Sequence, residues 1–283
     1  MGQTIACANQ KGGVGKTTTV VNLATYLALA GERVLVIDLD PQGNATSGFG
    51  VERPTVDRSV YGAMIGSVPM VDLVVETPVQ GLNIVPSSLA LAGAEVELAG
   101  FLAREQRLAS ALEAIADEHD YILVDCPPSL GLLTVNALTA AQSVLIPIQC
   151  EYYALEGVSQ LTATINLVRD HLNPDLAIKG VLLTMFDSRT NLSIEVASEV
   201  RRHLGSLVYS TLIPRSIRLS EAPSHGLPIA LYRPESKGAE AYQAFATEFL
   251  RRDRRSAPAD AASIVQIPVV RAGVDAVTAG ADR

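Results

Sequence analysis

The stretch Gln10-Lys11-Gly12-Gly13-Val14-Gly15-Lys16-Thr17-Thr18 constrains this chain more than any other. An apolar run, Thr4 to Ala8, leads into it. A segment of helical apolar period follows at once, with Val20, Val21, Leu23, Ala24, Leu27 and Ala28. Strand, glycine-rich turn and helix start form the setting in which backbone amides converge on one anion. Gly12, Gly13 and Gly15 carry no Cβ, so the backbone can curl and aim successive N–H groups at a phosphate. The start of a helix adds about half a positive charge at the same point. Lys16 supplies a full cation for the terminal phosphates, and the Thr17 hydroxyl is placed to ligate Mg²⁺.

The usual phosphate-loop spacing would put glycine where this chain has Gln10, and a second lysine, Lys11, stands beside it. The pattern K-G-G-x-G-K-T resembles the deviant Walker A loop of the ParA/MinD group of P-loop ATPases. An ordinary glycine-rich turn over a buried strand is the plain alternative. Five matched positions with the right flanks argue against it.

With 283 residues, 48% of them hydrophobic, the chain can build one large α/β core without disulfides or metal. No apolar stretch reaches the roughly 18 uncharged residues of a spanning helix. The N-terminus has no basic region and enters a strand directly, unlike a signal peptide. A cytoplasmic protein is expected. Cys7, Cys126 and Cys150 are odd in number and lack C-x-x-C spacing, which speaks against a disulfide framework or zinc. They read as small apolar filler, least firmly for Cys126 beside a predicted site turn. A net charge of −8 argues against nucleic acid as a whole-molecule property, but it leaves room for a local basic face.

Strand and helix patterns alternate almost throughout. This predicts an α/β P-loop NTPase fold: a mostly parallel, twisted β-sheet with helices on both faces. Strands are expected at 33–38, 82–86, 121–125, 143–148, 178–185 and 207–213. Helices are expected at 88–99, 102–118, 154–172, 192–204 and 237–255, with loops and short helices over 45–80. Residues 1–255 read as one ATPase domain. Residues 256–283 lack a clear period and read as a flexible C-terminal tail.

Ligands of such sheets sit at the carboxyl ends of the strands. Besides the glycine loop, two predicted ends carry acids. One is Asp38-Leu39-Asp40-Pro41-Gln42-Gly43-Asn44, a rigid turn able to present a carboxylate to a γ-phosphate. The other is Asp125-Cys126-Pro127-Pro128-Ser129, a Walker B pattern in which Asp125 would hold Mg²⁺ through water. A single strand-end Asp is usually a cap or turn former. Two in this order behind a phosphate loop form a constellation.

With these motifs, and with Ser220-Glu221-Ala222-Pro223-Ser224-His225-Gly226 and Lys237-Gly238-Ala239-Glu240-Ala241-Tyr242, residues 3 to about 250 resemble the ParA/Soj chromosome-partitioning ATPases. The resemblance implies an ATP-bound sandwich homodimer. It makes Lys11 the signature lysine that reaches the partner's phosphates, and Asp40 the carboxylate that positions the attacking water. It makes Lys16 and Thr17 the phosphate lysine and the Mg²⁺ ligand. Val14 lies in the phosphate cradle, and Thr18 contacts the α-phosphate. By the same resemblance Met185, Pro214, Arg215 and Ser216 line the adenine pocket. The guanine-specific N-K-x-D pattern is not present, which favours ATP.

Arg189 and Arg218 stand in contexts matching the non-specific DNA-contacting arginines of Soj-type proteins. Arginine pairs well with phosphate and needs no base readout. The plain alternative is surface pairing with Glu195, Glu199 or Glu221. The resemblance further implies double-stranded DNA and a ParB-type centromere-binding protein as partners, nucleoid association, and no stable membrane association. A MinD-like membrane-cycling ATPase is the runner-up, but 263–273 has a central proline and one charge, and 251–255 has little apolar face beyond Phe245 and Phe249. An iron–sulfur ATPase would need a second cysteine beside Cys126. A metabolic kinase would need a substrate pocket the sequence does not announce.

Overall fold

The computed structural model describes residues 2–52, 58–151 and 154–256. The expected tail lies outside the described residues, apart from Ser256, which ends the last helix.

Among the described residues there are eight strands, all but the short β3 built on apolar runs: β1 Gln3–Cys7, β2 Val34–Asp38, β3 Val75–Glu76, β4 Leu82–Val85, β5 Tyr121–Asp125, β6 Ser143–Gln149, β7 Ala177–Phe186 and β8 Val208–Pro214. They make one sheet in the order β3-β4-β2-β5-β1-β6-β7-β8. Only the short edge strand β3 is antiparallel. The central strands β2 and β5 are buried along their whole length, as continuous apolar runs require in a parallel sheet covered on both faces.

Alternate strand residues feed two cores. Ile5, Val34, Val36 and Leu123 pack on one face under α1 (Lys16–Leu29) and α11 (Lys237–Ser256). Ala6, Leu35, Ile37 and Val124 pack on the other. That face is covered by α3 (Val60–Ile65), α4 (Leu91–Leu98), α5 (Arg107–Leu112), α6 (Leu132–Ala140), α7 (Ala154–His171) and α8 (Asn191–Leu204). The helix leaving β1 and the helix leaving β5 therefore lie on opposite faces. That reversal opens a crevice over the carboxyl ends of the central strands.

The helix expected over 102–118 is broken into 3₁₀ turns at Arg104–Gln106 and Ala116–Glu118 with α5 between them. The cause is tertiary. Asn136 of α6 donates from Nδ2 to the Arg104 carbonyl at 2.9 Å, and its Oδ1 accepts from the Leu108 amide at 3.1 Å. Those two groups would have bonded each other in a continuous α-helix. The loop-rich region 45–80 holds α2 (Asn44–Gly48), α3, a 3₁₀ turn at Met70–Leu73 and the unexpected β3. Two more short helices, α9 (Ile217–Glu221) and α10 (Ile229–Tyr232), follow β8.

At the amino ends of the strands, a buried polar knot fastens α11 to the sheet. Asp253 accepts from Gln3 Nε2 and from the Tyr121 hydroxyl, both at 2.8 Å, and pairs with Lys179. Lys179 also donates to Gln3 Oε1 at 2.7 Å and sits over the Phe249 ring.

Candidate nucleotide site

The loop between β1 and α1 begins with Asn9. Its Nδ2 donates to the Pro147 carbonyl at 2.8 Å, and its Oδ1 accepts from the Lys11 amide at 3.0 Å. On the far side, the Thr184 hydroxyl donates to the Val14 carbonyl at 2.8 Å. The curl is thus pinned to β6 and β7. Gly13 and Gly15 take φ values of +74° and +87°, which a side chain would strain. Gly15 caps α1, and the first turn has neither a side-chain cap nor an acid. A helix start without a side-chain cap is what an anion site needs. The buried Lys16 ammonium donates to the Lys11 carbonyl at 3.3 Å, across the mouth of the loop.

Register places Asp38 beside Asp125 on neighbouring strands, and Asp125 beside Cys7. Both acids are fully buried, and Asp40 is 6% exposed. Neither Asp125 carboxylate oxygen has a hydrogen-bond partner of normal geometry. Burial, then the Asp38 charge, pushes its carboxyl well up, against the pull of the Thr17 hydroxyl and Lys16. Two orphaned buried oxygens beside a threonine hydroxyl suit a hard cation with its water shell. Asp38 is also pushed up by burial, to about 6, although Thr46 and the Asp40 amide bond to it. The Asp40 Oδ1 accepts from the Gln42 amide at 2.9 Å.

A cleft of about 670 Å³ runs from Gly15, Thr17 and Thr18 to the turn after β8. Met185, Pro214, Arg215 and Ser216 all line it. Met185 is held at φ +51°, a conformation uncommon for a residue with a side chain. Asn22 was not singled out in the sequence. It donates to the Thr18 carbonyl at 2.8 Å and accepts from the Ile229 amide at 2.8 Å, tying α1 to α10 at the wall of the cleft that Asn22 lines.

Glu151 is another residue that sequence reasoning missed. It accepts from Lys11 Nζ at 3.3 Å, from Gln149 at 2.5 Å and from Arg215 at 3.5 Å. No local signal marks it, since 140 residues separate it from Lys11. Arg189 and Arg218 follow β7 and β8 on the same end of the sheet. Arg189 is paired with Asp187 at 2.7 Å, and Arg218 with Glu221 at 2.7 Å. The Glu221 pairing is the one weighed above. Arg189 pairs with Asp187, which was not among the glutamates of that plain alternative, and Glu199 takes Arg202. The three cysteines are free and buried. Burial raises their thiols, Cys126 included, so none is primed to react.

A tight backbone contact joins the Asp40 side of the crevice to the arginine side. Gly50, just past α2, touches Gly226, and a Cβ on Gly226 would lie 2.7 Å from the Gly50 Cα. Both glycines have positive φ.

A mostly parallel sheet with a phosphate loop after β1 and acids after β2 and β5 defines a P-loop NTPase. A family model described as an AAA domain matches residues 2–178. The sporulation initiation inhibitor protein Soj of Bacillus subtilis is 58% identical over 88% of this chain and 98% of its own. The chromosome partitioning protein ParA of Myxococcus xanthus is 53% identical over 91% of each chain. The chain belongs to the Soj/ParA family of chromosome-partitioning ATPases. Among solved structures, cobyrinic acid a,c-diamide synthase of Mycobacterium smegmatis with bound ADP and magnesium is similar at 40% identity and a TM-score of 0.79. It covers 90% of this chain and 97% of that one. Among the described residues, no helix is long and apolar enough to cross a membrane.

Proposed function

We propose that the chain is a nucleotide-gated DNA-partitioning ATPase, carried by residues 1–255 with 256–283 outside that unit. Two copies close on ATP as a sandwich. Lys16 and the amides of Gly12, Gly13, Val14 and Gly15 cradle the phosphates, Thr18 meets the α-phosphate, and Lys11 crosses to the partner's nucleotide. Asp40 orients the attacking water. Thr17 and Asp125 would hold Mg²⁺, which when bound neutralises phosphate charge. Met185, Pro214, Arg215 and Ser216 surround the adenine. The observation that carries this reading is the meeting of an uncapped helix start, Lys16 and the unpartnered Asp125 at one crevice.

In the conformation described, Lys11 is held by Glu151 of its own chain, so crossing to a partner requires that pair to open. The pair is exposed enough for its net worth to be small, about 0–1 kcal/mol. The pairs of Arg189 and Arg218 are of the same exposed kind. They can pass from carboxylate to DNA phosphate at little cost. Dimer closure sums two weak basic patches into one binding face. A ParB-type partner stimulates hydrolysis, which releases the nucleoid-associated dimer from DNA.

The test is binding to arbitrary duplex DNA with ATP, with ADP and without nucleotide. Wild type with ATP is expected to bind, with affinity falling steeply as salt rises. Lys16→Ala and the double change Arg189→Glu/Arg218→Glu are expected not to bind. A wild-type dimer that closes on ATP yet ignores DNA would overturn the reading. Binding to anionic vesicles would then favour the MinD-like cycle.

A further inference from the structure

Three separate segments meet behind Asp40 in a closed ring of buried hydrogen bonds. Asp38 Oδ1, at the end of β2, accepts from the Asp40 amide at 3.3 Å. Asp38 Oδ2 accepts from the Thr46 hydroxyl at 2.6 Å and from the Thr46 amide at 2.8 Å. The Thr46 oxygen accepts from the Ser87 amide at 3.0 Å. The Ser87 hydroxyl closes the ring by donating to the Asp40 carbonyl at 2.6 Å. Asp38, Thr46 and Ser87 are fully buried, and Asp40 nearly so.

From this ring we infer that Ser87 and Thr46 are positioning residues for the Asp40 carboxylate. The inference rests on reading Asp40 as the residue that orients the attacking water. A loop that only had to turn would be satisfied by the Gly43 amide, which already reaches the Asp40 carbonyl at 2.9 Å. Here the same carbonyl takes a second, shorter bond from the segment that follows β4, 47 residues along the chain. Both backbone groups of Asp40 are therefore fixed. One carboxylate oxygen is fixed as well, by the Gln42 amide. Among the described residues, no hydrogen bond reaches the other oxygen, Oδ2. The ring leaves one polar atom free, and that atom belongs to the residue meant to meet water. Networks of this kind hold their geometry only when every member is satisfied. An error of about 1 Å at a reacting group can cost about a hundredfold in rate.

The experiment measures Mg²⁺-dependent ATP hydrolysis and the affinity for a non-hydrolysable ATP analogue on the full chain. It compares wild type with Ser87→Ala, Thr46→Val, Thr46→Ser, Asp40→Asn and the Ser87→Ala/Asp40→Asn double variant. Ser87→Ala and Thr46→Val are expected to lower kcat by about ten- to a hundredfold, with analogue affinity within about twofold of wild type. Thr46→Ser keeps the hydroxyl and is expected to recover most of the rate. In the Asp40→Asn background, Ser87→Ala is expected to cost nothing further, because it acts through that carboxylate. Equal losses in both backgrounds, or a matching fall in analogue affinity, would overturn the inference. If Asp40→Asn is inactive while Ser87→Ala and Thr46→Val turn over normally, the positioning role fails and the reading of Asp40 stands. If Asp40→Asn hydrolyses at the wild-type rate, that reading fails and takes the inference with it. The Thr46→Val and Thr46→Ser pair decides the matter alone should Ser87→Ala not fold.

Discussion

At the amino ends of the strands, Lys179, Asp253, Gln3 and Tyr121 bury a charge pair whose polar atoms meet partners. At the carboxyl ends of the same strands, Asp125 is buried more completely and has none. The two knots share a sheet, and the difference lies in partners as well as in depth. The lower one is a finished structural joint. The upper one keeps a carboxyl group without a hydrogen-bond partner of normal geometry within the chain, as a site does when the missing partner arrives with a ligand.

This contrast can be broken in order of expected size. Lys16→Ala removes the cation of the upper end and should lower kcat/KM for ATP by on the order of 10²–10³-fold, measured as phosphate release. Asp253→Ala should do the reverse. It leaves the largely buried Lys179 with Gln3 Oε1 and the Phe249 ring but no carboxylate, and should cost about 3 kcal/mol of stability, seen as a melting temperature lower by roughly 10 °C, while ATP affinity stays near wild type. A normal melting curve for Asp253→Ala would remove the lower knot from the argument.

Asp125→Asn should have a sign opposite to Asp253→Ala. Without nucleotide it should stabilise the fold by about 1–2 kcal/mol, since a carboxyl that must take up a proton to be buried gives way to an amide that is neutral at every pH. Mg²⁺-dependent nucleotide binding should fall in the same variant. Loss of stability without nucleotide would show that Asp125 is satisfied within the chain, and the two ends would no longer differ.

The smallest effect concerns pH. Burial lifts Asp38 from an ordinary 3.8 to about 6, so between those values the folded state holds a proton that the unfolded state has released. The stability this group contributes is complete below the lower value and is lost as pH rises through the upper one. Asp38→Asn should therefore flatten the fall in melting temperature of nucleotide-free protein over that window. An unchanged slope would mean that Asp38 is ionised throughout.

What sequence could supply followed from locality. β1, the glycine loop and α1 are contiguous, and β2 and β5 are apolar runs closed by an acid, so pattern and chemistry sat together. The cleft positions Met185 and Pro214 to Ser216 came only through family likeness, because nothing in their own chemistry names a base. The broken helix at 102–118 was hidden because Leu108, Leu112 and Ile115 keep a helical period even while Asn136 takes over the backbone bonds between them. Ser87, Thr46 and Glu151 were hidden for a similar reason. Each is an ordinary polar residue until a strand or loop far along the chain is brought against it.

Where Gly50 meets Gly226, the joint between the Asp40 side and the Arg218 side contains no rotamer. Side chains between two segments act as bearings, since each can flip and absorb part of a displacement before passing it on. Bare backbone against bare backbone has no such play. At this point a shift at the end of α2 presses on the turn after α9 with no side chain between them to absorb it. Even an alanine at either glycine would pry the two apart, acting as a shim in a mechanism built without clearance.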